Sequence, residues 1–115
     1  MKIDRKEPPR RYQVGRVQIS DCATIRLEPD EQVTFVTSSG KEHDFTAKSW
    51  GFYATPSVNA RLVKQGFKTA LVNNPQDKMF VVIVDPERMD EFEAYLRQEQ
   101  GQVIEWLDQR FRLPT

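Results

Sequence analysis

The chain has 115 residues, 17 Lys and Arg against 17 Asp and Glu for a formal net charge of zero, and 38% hydrophobic and 30% charged residues. That length supports one hydrophobic core and excludes a two-lobed enzyme with a cleft between domains, and the apolar content excludes a disordered polyampholyte. No run approaches the roughly 20 apolar residues of a membrane helix, no apolar stretch follows the basic N-terminal residues as in a secretory leader, and the lone Cys22 has no partner for an internal disulfide. The expected location is therefore the cytoplasm, with no membrane association.

Charge is distributed unevenly. Residues 1–20 hold six cations (Lys2, Arg5, Lys6, Arg10, Arg11, Arg16) against two acids, residues 48–68 hold four (Lys48, Arg61, Lys64, Lys68) against none, and residues 85–108 hold eight acids against two cations. The window 45–76 contains no Asp or Glu at all. Such polarity allows one copy's acidic end to meet another's basic face, or aims the basic parts at an anionic ligand.

Residues 1–11, with their charges and Pro8-Pro9, read as a flexible basic arm ahead of a single α+β domain over 12–115. Tyr12, Val14, Val17 and Ile19 predict a first strand kinked near Gly15, and residues 24–27 a second. Residues 28–31, with Pro29, predict a turn. Residues 32–37 and 42–48 predict strands joined by a hairpin loop at Ser38-Ser39-Gly40, where Gly40 takes the positive φ. Trp50 to Tyr53 continues that strand or opens a new one. Thr55-Pro56-Ser57 predicts a helix start, with Thr55 or Ser57 as cap, Val58 and Leu62 on the core side, and Gly66 as the stop.

Residues 67–72 and 78–84 predict an antiparallel pair of strands. Because 80–84 is apolar on both faces, this last strand is expected at the centre of the sheet, covered on each side. Asp85-Pro86-Glu87 then starts the strongest helix, with Met89, Phe92, Tyr95 and Leu96 on one stripe and acids in its first turns, where they complement the helix dipole. Gly101 interrupts, and residues 102–111 predict a second C-terminal helix, with an edge strand over 103–107 as the alternative. The expected fold is α+β: a mostly antiparallel sheet of five to six short strands, a short helix after Thr55, and one or two C-terminal helices packed on one face.

Little in the sequence supports catalysis. One His and one Cys leave Cys22 with His43 as the sole nucleophilic pair, with no motif behind it. His43-Asp44 is the one dense ligand pair, no metal-binding spacing exists, and the five glycines are each isolated, so no phosphate loop is formed. No metal or cofactor is expected.

The acid-free window is more informative. Trp50 and Phe52 share one face of an extended strand and Tyr53 the other, so at least one ring is a candidate for exposure. With Lys48 before them, Arg61 and Lys64 after, and the amides of a helix start at Ser57, Val58 and Asn59, the window combines stacking surface, cations and donors suited to an anionic small molecule or a nucleic acid. The candidate ligand-binding residues are Lys48, Trp50, Tyr53, Ser57, Asn59, Arg61 and Lys64. The competing explanation is that the rings fill the core and the cations form the solvent face of the short helix. Uncovered strand edges, together with Trp106 and Phe111 on a C-terminal helix, point to a homodimer as a further mode of association. The favoured expectation is a small cytoplasmic, non-catalytic binding or accessory protein with an anionic-ligand or partner surface at 48–68. The alternative is an RNA- or single-stranded-DNA-binding module using the arm and the same window, and an enzyme acting on an anionic small molecule comes third.

Overall fold

Antiparallel β-structure dominates residues 1–109, which the computed structural model describes: eight strands in three small sheets, a one-turn helix and one longer helical segment near the C-terminus. By their internal contacts the described residues form two compact units, one of residues 1–34 and 44–54, the other of residues 35–43 and 55–109.

The first unit begins with a long two-stranded ribbon. Strands β1 (Lys2–Val14) and β2 (Val17–Arg26) run antiparallel from Val14↔Val17 at the tip to Lys2↔Arg26 at the base. The residues expected as an arm are thus the first part of β1, and the expected strand kinked at Gly15 is a hairpin, because Gly15 takes φ +56° and reverses the chain there. The register slips between Arg5 and Arg10, where Pro8 and Pro9 lie. Proline has no N–H for the ladder, so an irregularity is where a strand tolerates it. Across the strands Asp21 is held by Lys6 and by Arg10 Nε at 3.2 Å, and the Arg10 guanidinium lies 4.8 Å from the Tyr12 ring centroid.

After the expected turn at 28–31, where Asp30 adopts φ +70°, come β3 (Gln32–Val36), β4 (Glu42–Lys48) and β5 (Gly51–Ala54), hydrogen-bonded in the order β3-β4-β5. The division between the units runs through β3 and β4. The loop before β4 closes as expected, with Gly40 at φ +88°.

In the second unit β6 (Lys68–Asn73) is the central strand, flanked by β7 (Met79–Val84) and β8 (Gln102–Trp106) in the order β7-β6-β8. Its buried apolar side chains are Leu62, Phe67, Ala70, Val72 and Val84. Helix α1 is only Arg61–Lys64, and Ser57 Oγ accepts from the Arg61 amide at 2.9 Å. Ser57 therefore closes the turn that precedes the helix, and the start expected at Thr55-Pro56 is displaced by a turn of 57–60. Asp85 behaves as expected: its carboxylate accepts from the Glu87 amide, a 3-10 turn (Pro86–Arg88) follows, and α2 (Met89–Glu99) continues it. Phe92 meets Trp106 edge to face at 6.0 Å, which sets α2 against the sheet.

Two expectations for this unit are corrected. Residues 102–106 form β8, followed by a 3-10 turn at Leu107–Gln109, rather than a second C-terminal helix; Phe111 lies outside the described residues. Val72 pairs with Val103 and Ala70 with Trp106, so these two apolar residues of β8 are placed by pairing with β6. The apolar strand β7, expected at the sheet's centre, is an edge strand, since β8 pairs with the far side of β6 and no strand among the described residues lies beyond β7. No helix among the described residues is long and apolar enough to cross a membrane.

Candidate functional site

The aromatic stretch forms the tip of the β4–β5 hairpin, in the first unit. Register pairs Lys48↔Gly51, Ala47↔Phe52 and Thr46↔Tyr53 leave Ser49-Trp50 as a two-residue turn, and Gly51 leaves it at φ +145°. Alternation then sends Phe52 and Tyr53 to opposite faces of a four-residue edge strand. All three rings are open to solvent: Trp50 is 70% exposed, Phe52 67% and Tyr53 42%. Trp50 and Tyr53 lie against one another, with centroids 6.3 Å apart and ring planes 27° from parallel. The expected Trp50–Phe52 pairing is corrected here, since Trp50 sits in the turn and the strand's period does not extend to it.

The electrostatics of the tip differ from the sequence expectation. Lys48 makes a short ion pair with Asp30. The Asp30 hydrogen bond, reinforced by its charge, raises the Lys48 ammonium above the ordinary lysine range. Asp30 reaches it because the 28–31 turn docks on β4, the Asp30 amide donating to Ala47 O at 2.7 Å and the Ala47 amide to Glu31 O at 2.9 Å. A window without acids in sequence is thus supplied with one in space. The same holds in the second unit for Lys68, whose Nζ lies 3.8 Å from Asp108 and 4.6 Å from the Trp106 ring centroid.

The remaining candidates, Ser57, Asn59, Arg61 and Lys64, belong to the second unit and are exposed at its surface around α1. Arg61 Nη1 donates to Gln65 Oε1 at 2.9 Å, one turn on, and Gln65 Nε2 to Glu42 O at 2.7 Å. The amides at 57–59 precede the four-residue helix instead of forming its first turn, so the donor array expected there is not formed. What the structure brings together is therefore Lys48, Trp50 and Tyr53, joined by Phe52 and Asp30. Phe52 was legible as an aromatic at the tip; Asp30 carries no local signal, because its role depends on where a distant turn docks.

The catalytic alternatives gain no geometry. Cys22 is exposed and points its thiol at Ser20 O, 3.4 Å away, while His43 is buried on β4. No group of three or more His, Cys, Asp or Glu among the described residues is arranged to hold a metal ion. The most developed charge cluster is structural. Lys41 Nζ meets Asp85 Oδ1 at 2.6 Å, Glu87 at 3.5 Å and Gly66 O at 3.2 Å, tying the start of β4 to the start of the α2 segment within the second unit. The Lys41 hydrogen bond holds the Asp85 carboxyl below the usual carboxylate range, against the opposing effect of desolvation.

Comparison with known proteins identifies no relative: no family model matches the chain, and neither a curated protein nor a solved structure matches it.

Proposed function

We propose that this chain is a small cytoplasmic, non-catalytic binding or accessory protein whose partner surface is the tip of the β4–β5 hairpin. The observation that carries this reading is the exposure of three aromatic rings at the turn and following strand of one hairpin, with Trp50 and Tyr53 already stacked. Exposed aromatic clusters of this kind are costly to leave in water and are a recurring feature of contact surfaces. With Lys48 neutralised by Asp30, the tip offers ring faces more than positive charge, which favours a partner that presents a planar or apolar group. Arg61 and Lys64 enter as separate cationic positions of the second unit.

The test is a two-dimensional amide NMR titration with adenosine and, separately, adenosine monophosphate. The proposal expects shifts at the Trp50 indole and the amides of 50–53 with both. No shift at millimolar concentration of either would remove a planar-ring ligand from the reading.

The stacked rings also support a second reading, single-stranded nucleic acid, since stacking platforms for bases are sequence-tolerant. Binding of a labelled oligothymidylate that weakens steeply with salt and is lost in Trp50→Ala and Tyr53→Ala would favour it. Absence of binding at low salt would end it.

A further inference from the structure

The strand β7 has the most apolar sequence in the chain, Met79-Phe80-Val81-Val82-Ile83-Val84, and it lies at an edge of its sheet. Other strand edges among the described residues carry devices that discourage pairing. On the opposite edge of the same sheet, β8 has a register irregularity and Glu105. Strand β5 is four residues long and begins at Gly51, and β1 carries Pro8-Pro9 and several cations. Strand β7 has no charge, proline or irregularity in its pairing with β6. Its side chains are also uncovered at one end: Val81 is 64% exposed, Met79 54% and Phe80 52%.

Beside this edge runs a groove of about 420 Å³ between β7 and α2, floored by Val82, Val84, Phe92 and Tyr95. Asp85, Arg88 and Glu91 stand at its rim. Arg88 is engaged by Glu91 at 3.2 Å and Asp85 by Lys41. Lys78, just before the other end of β7, has no ion pair among the described residues.

We propose that β7 is the interface of a two-fold dimer, in which two copies pair β7 antiparallel and each sets Phe80 into the other's β7–α2 groove. This rests on the self-association expected from the sequence, independently of the aromatic hairpin. Symmetry restricts the register. A two-fold axis normal to the sheet keeps each face on the same side in both copies, and opposed residues in an antiparallel ladder point to the same side. Opposed positions must therefore have the same parity, so the axis passes through a residue.

Placing the axis at Val81, the most exposed position, sets Met79 opposite Ile83, Phe80 opposite Val82 and Lys78 opposite Val84. Phe80 then enters the partner's groove from its open side, and Lys78 reaches the rim of Asp85 and Glu91. Asp77 comes opposite Asp85, beyond the strand ends and at a turn where Asp77 has φ +63°, with Asp85 already held by Lys41. Moving the axis to Val82 would set Met79 against Asp85, an apolar side chain against a charge. Pairing β7 in this way turns it into a central strand of a six-stranded sheet, the environment that its two apolar faces suit. One six-residue strand with Phe80 and Tyr95 falls at the low end of the roughly 1,200–2,000 Å² of stable interfaces, so the dimer is concentration-dependent.

Sedimentation velocity on the whole chain, at concentrations from about 1 to 100 µM, a range bracketing a micromolar dissociation constant, is expected to show a monomer–dimer transition. Val81→Lys places two ammonium groups opposite each other on the axis and is expected to weaken the dimer at least tenfold, with an unchanged circular dichroism spectrum. In a Cys22→Ser background, Val81→Cys is expected to cross-link into a covalent dimer on mild oxidation, whereas Met79→Cys is not, because only position 81 meets itself. A monomer throughout the concentration range overturns the proposal. So does a dimer that survives Val81→Lys, or one that is lost with Trp50→Ala instead. If Val81→Lys does not fold, the cross-linking pair decides alone: equal cross-linking at 79 and 81, or none at either, is the negative result. Failure here leaves the hairpin titration with adenosine untouched, and the reverse also holds.

Discussion

The β1–β2 ribbon and the β7-β6-β8 sheet are both antiparallel, yet they are held by different forces. The sheet is central to a unit with fully buried apolar groups: Leu62 and Ala70 have no accessible surface, and Phe67, Val72 and Val84 have almost none. No residue of the ribbon is buried. Its order rests on the backbone ladder, on Asp21 bridging Lys6 and Arg10, and on the Arg10–Tyr12 contact. An isolated two-stranded hairpin is marginal in water, whereas a three-stranded sheet with a helix on one face is self-supporting. Strand pairing alone therefore does not distinguish a stable region from a weak one; what lies across the faces does.

This contrast can be broken at several points. The largest effect is expected from Leu62→Ala, which empties a fully buried position in the second unit and should cost about 2–5 kcal/mol in urea denaturation. A cost below 1 kcal/mol, well under that range, would mean that the unit's core lies elsewhere. Next comes Gly66→Ala. Gly66 has φ +93°, and a Cβ there would stand 2.9 Å from Lys41 Cε and Nζ, so backbone strain of about 1–3 kcal/mol is joined by displacement of the lysine.

The Lys41–Asp85 pair predicts a pH dependence of the same unit. Asp85 is depressed in the folded state, so its contribution is present above the ordinary carboxylate range and is lost as pH falls through the lowered folded value. Lys41 is raised by the same hydrogen bond, so its contribution is complete below the ordinary lysine range and is lost as pH rises through the raised folded value. Thermal midpoints should therefore be flat near neutrality and fall at both extremes, and Asp85→Asn should remove the acid-side share of that fall.

The ribbon should respond more weakly and more locally. Asp21 is depressed chiefly by its hydrogen bond to Lys6, and its partners, half-buried Lys6 and exposed Arg10, are within reach of salt screening. Asp21→Asn should speed amide exchange in β1 and β2 while leaving β6 and β7 unchanged. The smallest effect is expected at the hairpin tip, where Trp50→Ala should alter stability by less than about 0.5 kcal/mol, as at other surface positions. A larger loss would mean that the indole supports the fold and would weaken its assignment to a partner surface.

Several elements were legible in the sequence because a local signal and the final environment agree. Gly40 closes its loop, Asp85-Pro86 caps the long helical segment, and β4, β6 and β7 begin and end within a residue or two of their expected bounds. Residues 2–11 were not legible as a strand: their charges and prolines resemble a tail, and the ribbon exists because β2 supplies a partner and a cross-strand carboxylate. Residues 102–106 show why spacing alone misleads, since a short run with apolar residues a few positions apart fits either period until a partner strand is present.

For the candidate site, the rings of the tip were visible, but their electrostatic setting was not. Local chemistry alone determined the β3–β4 and β6–β7 hairpins, the helix start at Asp85 and the concentration of aromatic residues at 50–53, since each depends on neighbours a few residues apart. Only the tertiary structure decided that Asp30 would neutralise Lys48, that Trp50 would stack on Tyr53 in the open, and that β7 would be left at an edge. These outcomes depend on which distant segments arrive and which do not, and an apolar pattern records the need for cover without naming what provides it.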